Sequence, residues 1–452
     1  MIVDDASART ELAPSSLLRR LLPLVCALAI VSTIALARSA PFEADADGIA
    51  FMDIADCLRA HRWACAVNGY WNPMYPALLA LGRGLAHASV RNEARVYLLL
   101  NCGIALLGMG AVLLFTRSLA LLRTKLEPAA GSTGFLFDRI ALQTIAVALL
   151  LLAVHRELAP GVVRPDLLLA VLLIAALAEL LRFLATGHTA HAAAMGAALG
   201  CAFLTKSFAL AFAVACVATL LGFSWRWNRR PGHSIAAALV AFACFAALAA
   251  PYISALSRQK GRLDFGDSGA LNYAWYTGRT ARVHLQPYMT LQFGASDVLL
   301  KHPQRELLTS PQIVSYAALP YGTNPDWFDP SYWNDGVRPR FNVRFALSRF
   351  THNLALTLDY LRSHLESLAL LALLLAAAAY RRRGLHRQLR SPNPFWLPTT
   401  TLALFAWTVY AAVNIEERYV SFAFLTVVVT AFAALRPPAP TQPAEPPATG
   451  PA

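Results

Sequence analysis

Three acidic residues, Glu43, Asp45 and Asp47, follow the first long apolar run of the chain, and two isolated cations, Lys206 and Arg418, stand at the edges of later runs. A carboxylate beside a bilayer costs free energy unless something uses it. Asp47 precedes a glycine and a helical pattern, so it can cap that helix through the orphan amides of its first turn. Alternatively it can act as a proton acceptor for chemistry at the membrane surface. Lys206, between Leu204 and Phe208, can snorkel to head groups or hold an anionic group. Arg418 follows Glu416 and Glu417, so either acid can orient it, and its planar guanidinium suits a phosphate.

The elements that must position these residues are membrane helices. The chain has 452 residues, 57% hydrophobic and 14% charged, where a soluble domain carries about 25% charge. The formal charge of +13 does not point to nucleic acid, because the basic residues collect at the ends of apolar runs, as at Arg19-Arg20, Arg226–Arg230 and Arg381-Arg382-Arg383. That distribution marks the cytoplasmic side. Most of the 7 cysteines sit inside apolar segments and read as small hydrophobes. Cys57 and Cys65 share the first polar loop, as a bridge or as two free thiols.

The expected fold is an all-α polytopic membrane protein of about ten transmembrane helices. The predicted spans are 21–37, 95–116, 137–154, 167–184, 188–204, 207–222, 234–254, 364–380, 396–414 and 419–436. Several are near the short end of what crosses roughly 30 Å of hydrocarbon. The first also loosely fits a signal peptide. A single helix over 187–222 would put Arg226–Arg230 outside. A break near Thr205-Lys206 restores the positive-inside pattern and brings Lys206 to the exoplasmic surface. The expected division is an N-terminal transmembrane module over 1–256, an exoplasmic region over 257–360, C-terminal helices over 361–436, and a Pro/Ala-rich tail over 437–452 expected to be disordered on the cytoplasmic side.

The first exoplasmic loop, 39–94, predicts an interfacial helix over 48–60, with Ile49, Met52 and Leu58 on its apolar side and Asp53, Asp56 and Arg59 on its polar side. Trp71 is an interfacial aromatic, or a substrate contact. In the second loop Trp327, Tyr332 and Trp333 either stack on sugar faces or form the core of a small loop domain.

Three stretches carry a family resemblance: DGIAFMDIADCLRAHRWACAVNGYWNPMYPALLALG at 47–82, LGCAFLTKSFAL at 199–210 and EERYVSF at 416–422. Together they resemble the glycosyltransferase superfamily C, in the branch of protein O-mannosyltransferases and lipid A aminoarabinose transferases. The second departs from the family's Gly-x-x-x-Leu-Thr-Lys-Gly-Pro pattern at Ser207-Phe208.

The resemblance implies a sugar carried on a polyprenyl monophosphate in the bilayer and an acceptor hydroxyl on a protein, lipid or glycan at the exoplasmic face. An inverting transfer needs a base, for which Asp47 stands, and cations on the departing phosphate, for which Lys206 and Arg418 stand. Asp45, Glu416, Glu417 and Tyr419 are supporting candidates. Asp45-Ala46-Asp47 matches the Asp-x-Asp that holds a divalent ion in other transferases, but a monophosphate donor has less need of one, so no obligatory metal or cofactor is expected. The implied setting is a bacterial inner membrane, with the site facing the periplasm. The alternatives are a lipid-linked oligosaccharide ligase or polymerase and, from another class, a secondary transporter.

Overall fold

A computed structural model describes residues 14–39, 42–128, 135–228, 230–279, 305–315, 317–318, 322–323, 329–334, 337–381 and 394–436. The helices in chain order are α1 (Pro14–Ser39), α2 (Ala46–Arg59), α3 (Met74–Leu85), α4 (Glu93–Leu126), α5 (Arg139–Arg156), α6 (Asp166–Thr186), α7 (Thr189–Thr205), α8 (Phe208–Asn228), α9 (Pro231–Lys260) and α10 (Ser268–Tyr276). Two short antiparallel ladders follow, β1 (Arg305–Thr309) with β2 (Gln312–Ser315) and β3 (Ala317–Ala318) with β4 (Gly322–Thr323). The chain returns to helix in α11 (Pro330–Trp333), α12 (Val343–Ser363), α13 (Leu365–Arg381), α14 (Leu397–Val413) and α15 (Glu417–Ala434).

Among the described residues seven helices are long and apolar enough to cross a membrane: α1, α4, α5, α6, α8, α9 and α15. Three shorter apolar helices, α7, α13 and α14, stand where the remaining predicted spans were placed. The protein is an all-α polytopic membrane protein. α6 is apolar on every side over 167–178 and is the most buried of the candidate spans, with Leu173, Leu177, Leu180, Leu181 and Phe183 fully enclosed. A helix without a polar face belongs in the middle of a bundle, and α4, α7, α8 and α15 pack against it. α7 and α9 approach closely at Gly196, where a Cβ would collide with the Ala241 carbonyl. Small residues permit such close crossings in lipid, where packing replaces the hydrophobic drive.

The break between α7 and α8 falls at the predicted place. Lys206 is extended, at φ −157° and ψ 133°, and α8 restarts at Phe208. The interfacial helix also forms, as α2: Leu58 is buried, Met52 packs against the core, and Asp56 and Arg59 are exposed, as expected, but Ile49 is misplaced. Ile49 is exposed, and the buried stripe is Phe51, Ile54, Ala55 and Leu58, which recur at helical spacing against the bundle. Its cap is Asp45, not Asp47: the Asp45 side chain accepts from Gly48 N at 2.8 Å. Asp47 lies inside the first turn. Cys57 is disulfide-bonded, while the side chain of Cys65 lies outside the described residues. The tail over 437–452 and Trp327 also lie outside them, as does the side chain of Trp333.

Candidate functional site

The α5–α6 connection and the segment leading into α2 are stitched together by backbone. Glu43 N donates to Gly161 O at 2.9 Å and Val163 N returns to Glu43 O at 3.1 Å, a short parallel bridge. Asn101, buried in α4, holds the same connection by donating to Pro160 O and Val162 O at 2.9 and 3.1 Å. Gly48 lets α2 lie against it, since a Cβ there would sit 3.0 Å from Val163 O. The result sets Asp45 opposite Arg164, whose Nε donates to Asp45 Oδ2 at 3.0 Å. Glu43, the most exposed of the three acids, thus serves through its backbone.

A second set of contacts fixes the helix break. The end of α7 leaves carbonyls without intrahelical partners, and buried Asn72 supplies one by donating to Phe203 O at 2.7 Å. Ser207 Oγ donates to Asn72 Oδ1 at 2.9 Å, and Ser268 Oγ donates to Ser207 at 2.9 Å. First loop, helix break and α10 are joined at the residue next to Lys206. The departure from the family pattern at Ser207 therefore adds a hydroxyl tie.

These supports enclose a cavity of about 270 Å³ whose wall includes Asp47, Trp71, Arg164, Asp166, Lys206, Glu416, Arg418 and Tyr419. The carboxylate and both cations singled out from sequence meet there, as do Trp71, Glu416 and Tyr419. Lys206 Nζ donates to Asp166 Oδ1 at 2.7 Å and lies 3.8 Å from the Tyr419 ring centre. Arg418 is 3.6 Å from the other oxygen of Asp166 and 2.7 Å from Glu416 Oε2. Its Nη2 also donates to the Tyr419 hydroxyl at 3.1 Å, which donates on to Glu416 Oε1 at 3.1 Å. Between the two acids left open by the sequence, Glu416 is the one that holds Arg418.

Asp47 has no hydrogen-bond partner among the described residues. Burial, then the neighbouring Asp45 carboxylate, push its carboxyl above the usual carboxylate range, while Arg418 and Lys206 pull the other way. A carboxylate left without donors and pushed upward in pKa is a better proton acceptor than one in water. Asp45 is committed elsewhere, with one oxygen on Gly48 N and the other on Arg164. Among the described residues no group of three or more His, Cys, Asp or Glu side chains is arranged to hold a metal ion. Tyr332 is half-buried beside Asp329 and is not part of the cavity wall.

No protein-family model and no curated protein matches the chain. Among solved structures it is similar to ArnT from Cupriavidus metallidurans bound to undecaprenyl phosphate, at 15% identity over 92% of this chain and 60% of that one, with a TM-score of 0.48. It is also similar to the Archaeoglobus fulgidus oligosaccharyltransferase in the apo form, at 14% identity over 91% of this chain and 50% of that one, with a TM-score of 0.46. The chain spans half to three-fifths of their length.

Two charged wall residues were missed in the sequence, Arg164 and Asp166. The signal was present: Arg164-Pro165-Asp166 opens the apolar run of α6 as Asp47 follows that of α1. Asp166 is the hub of the site, buried and in contact with both Lys206 and Arg418.

Proposed function

We propose that the protein is an exoplasmic-face glycosyltransferase that moves a sugar from a polyprenyl monophosphate to an acceptor hydroxyl, with inversion at the anomeric carbon. The observation that carries this reading is the single cavity bringing Asp47 within the field of Lys206 and Arg418.

Asp47 takes the proton of the acceptor hydroxyl as its oxygen attacks the anomeric carbon. The bond from that carbon to the phosphate oxygen breaks, and the lipid phosphate leaves with the electron pair. Lys206 has three N–H donors and spends one on Asp166, so two remain for phosphate oxygens. Arg418 adds a guanidinium held by Glu416 and Tyr419. Asp166 acts through these cations by fixing where they stand. Charge that develops on the leaving phosphate then meets donors already in place, which is where electrostatic catalysis gains most. The role of cation falls to Lys206 and Arg418, and both oxygens of Asp45 are already engaged, so activity is expected to survive chelation of divalent metals.

Asp47→Asn provides the test, with purified protein in nanodiscs and a polyprenyl-phosphate sugar. Transfer is expected to drop by roughly 10²–10⁴-fold, the usual contribution of a general base, while the amount of folded protein and donor binding stay near wild type. Turnover close to wild type would remove Asp47 from the base role.

A further inference from the structure

The short link from α14 to α15, Asn414-Ile415-Glu416, leads directly to Arg418. The last carbonyls of a helix lack intrahelical partners, and in α14 three consecutive ones are met by side chains from other elements. Asn353 donates to Ala411 O at 2.8 Å, Thr277 to Ala412 O at 3.0 Å and Arg349 Nε to Val413 O at 2.9 Å. Arg349 and Asn353 belong to α12, whose protein-facing side is the polar one. Arg349, Asn353, Thr357 and Tyr360 recur there at helical spacing against α14, while Val343, Leu347, Leu354 and Leu358 are exposed. Polar groups turned inward cost free energy unless they are bonded, and the bonds these make hold the end of α14 in place.

Arg349 reaches beyond the backbone. Its Nη2 donates to Asn414 Oδ1, and Asn414 Nδ2 donates to Glu416 Oε1 at 3.2 Å. A guanidinium only donates and a carboxylate only accepts, so these two neighbours fix which way the Asn414 amide points. Glu416 also accepts from the Tyr419 hydroxyl on Oε1 at 3.1 Å and from Arg418 Nη2 on Oε2 at 2.7 Å. An unbroken run of side-chain bonds thus connects Arg349 to Arg418. Asn414, Glu416 and Arg418 line the cavity that holds Asp47, and Arg349 does not. Tyr276, another wall residue, closes over the guanidinium, with its ring centre 5.0 Å from Cζ. The planar fork matters here: one nitrogen holds the backbone of the link and another holds the Asn414 side chain, a geometry that a lysine cannot reproduce.

We propose that Arg349 is a positioning residue for the site: by fixing the polarity of the Asn414 amide it sets where Glu416 stands, and through Glu416 the direction of the Arg418 guanidinium. Without Arg349, Asn414 can turn its carbonyl toward the Glu416 carboxylate, and two acceptors then repel where a donor met an acceptor. Glu416 shifts, and Arg418 loses its fixed place in the cavity wall. The consequence for a lipid phosphate rests on the role proposed above for Arg418, whereas the coupling of Arg349 to Glu416 does not.

The test uses the full chain in lipid nanodiscs with a polyprenyl phosphate as probe, and binding is followed by native mass spectrometry. The dissociation constant is expected to rise roughly tenfold in Arg349→Met, as for the loss of a hydrogen bond to a charged group. Arg349→Lys keeps the charge but cannot hold the backbone and Asn414 together, so it should weaken binding almost as much. It also stands in for Arg349→Met in every comparison should that variant not fold. In an Arg418→Met background, Arg349→Met should change nothing further, whereas a merely structural loss would appear in both backgrounds. Melting temperatures supply an arm that needs no ligand: the shifts of Arg349→Met and Glu416→Gln should sum to more than the shift of the double variant. Three results would overturn the proposal: wild-type affinity in folded Arg349→Met, full affinity in Arg349→Lys, or an equal further loss in the Arg418→Met background. If the wild-type chain binds no polyprenyl phosphate, the proposed function fails and the melting arm alone decides this inference. Coupled shifts would then uphold it, and additive shifts would overturn it.

Discussion

Lys206 Nζ stands 2.7 Å from Asp166 Oδ1, and the side chain of Asp166 is 5% exposed. The pair joins the start of α6 to the break between α7 and α8, and Arg418 approaches the same carboxylate at 3.6 Å from the head of α15. Three helix ends thus converge on one carboxylate. Removing a single partner from a buried ionic group leaves an uncompensated charge and typically costs about 3–5 kcal/mol, much more than an exposed pair is worth. Asp166→Asn is therefore expected to lower stability by about 3 kcal/mol in the nanodisc-embedded protein, measured by thermal or denaturant unfolding. In a Lys206→Met background the same change should cost less, because one stranded cation is gone. Equal costs in the two backgrounds would show that the pair is not coupled.

The pH dependence follows from Asp47. Its carboxyl is raised by burial first and by Asp45 second, so the base is ionised only above a pKa higher than that of an ordinary aspartate. The value of kcat/KM is expected to fall on acidification with its inflection above the usual carboxylate range. Asp45→Asn keeps the cap oxygen on Gly48 N but removes the neighbouring charge, so the inflection should move to lower pH. The sign for stability is opposite to that of a salt-bridged acid. With the folded value above the unfolded one, the unfolded state binds fewer protons between the two, and stability falls as pH rises through that window. Above it the ionised carboxylate destabilises the fold, and Asp47→Asn should unfold at a higher temperature than wild type near neutral pH while being inactive. The gain should vanish once pH falls below the unfolded value. An inactive variant with lowered stability would point to a structural role instead.

How far the sequence carried depends on whether a residue announces itself locally. Lys206 interrupts an apolar stretch, and the charge at Arg226–Arg230 needs a second crossing, so the break was readable from composition and the positive-inside rule. Asp47 was readable as an acid just beyond a span. Asp47 was weighed as cap or base and Asp45 was not considered for the cap, yet both precede or open the same first turn, and the choice rests on the φ/ψ of one residue. Asp166 was passed over for a different reason. An acid in the first turn of a helix is ordinary, favoured by the dipole alone, and only the packing of α6 against α7 and α15 shows that it meets two cations. On α2, Leu58 and Met52 turn inward as expected, but Ile49 does not, because several registers of its apolar residues fit a helix and the bundle decided among them.

Gly48 tests the stitching of the first loop to the α5–α6 connection. Within a helix, Gly→Ala normally gains about 1 kcal/mol. Here the new Cβ would lie 3.0 Å from Val163 O and 3.3 Å from Val163 Cβ, and forcing a methyl into a filled contact costs about 1–3 kcal/mol. Gly48→Ala is expected to lose stability rather than gain it. The displaced α2 should also lower kcat, by moving Asp47 away from the cations. A variant more stable than wild type with unchanged kcat would mean that the contact yields without consequence.

Asn72 offers the converse case, a residue that touches both sides of the helix break. Its amide donates to Phe203 O and its carbonyl accepts from Ser207 Oγ. Asn72→Ala leaves the buried Phe203 carbonyl without its side-chain partner and the half-buried Ser207 hydroxyl with Ser268 alone, a loss of about 1–3 kcal/mol. The conformation of the break then relaxes, and with it the direction in which Lys206 points. The expected kinetic signature is a raised KM for the polyprenyl-phosphate donor with a smaller change in kcat, because Lys206 holds the phosphate in the ground state as well as in the transition state. Ser207→Ala removes only one of the two bonds and should show the same signature at lower amplitude. If Asn72→Ala lowers kcat while donor KM stays at the wild-type value, Asn72 does not act through Lys206, and its place in the cavity wall would have to be explained by contact with the reacting groups themselves.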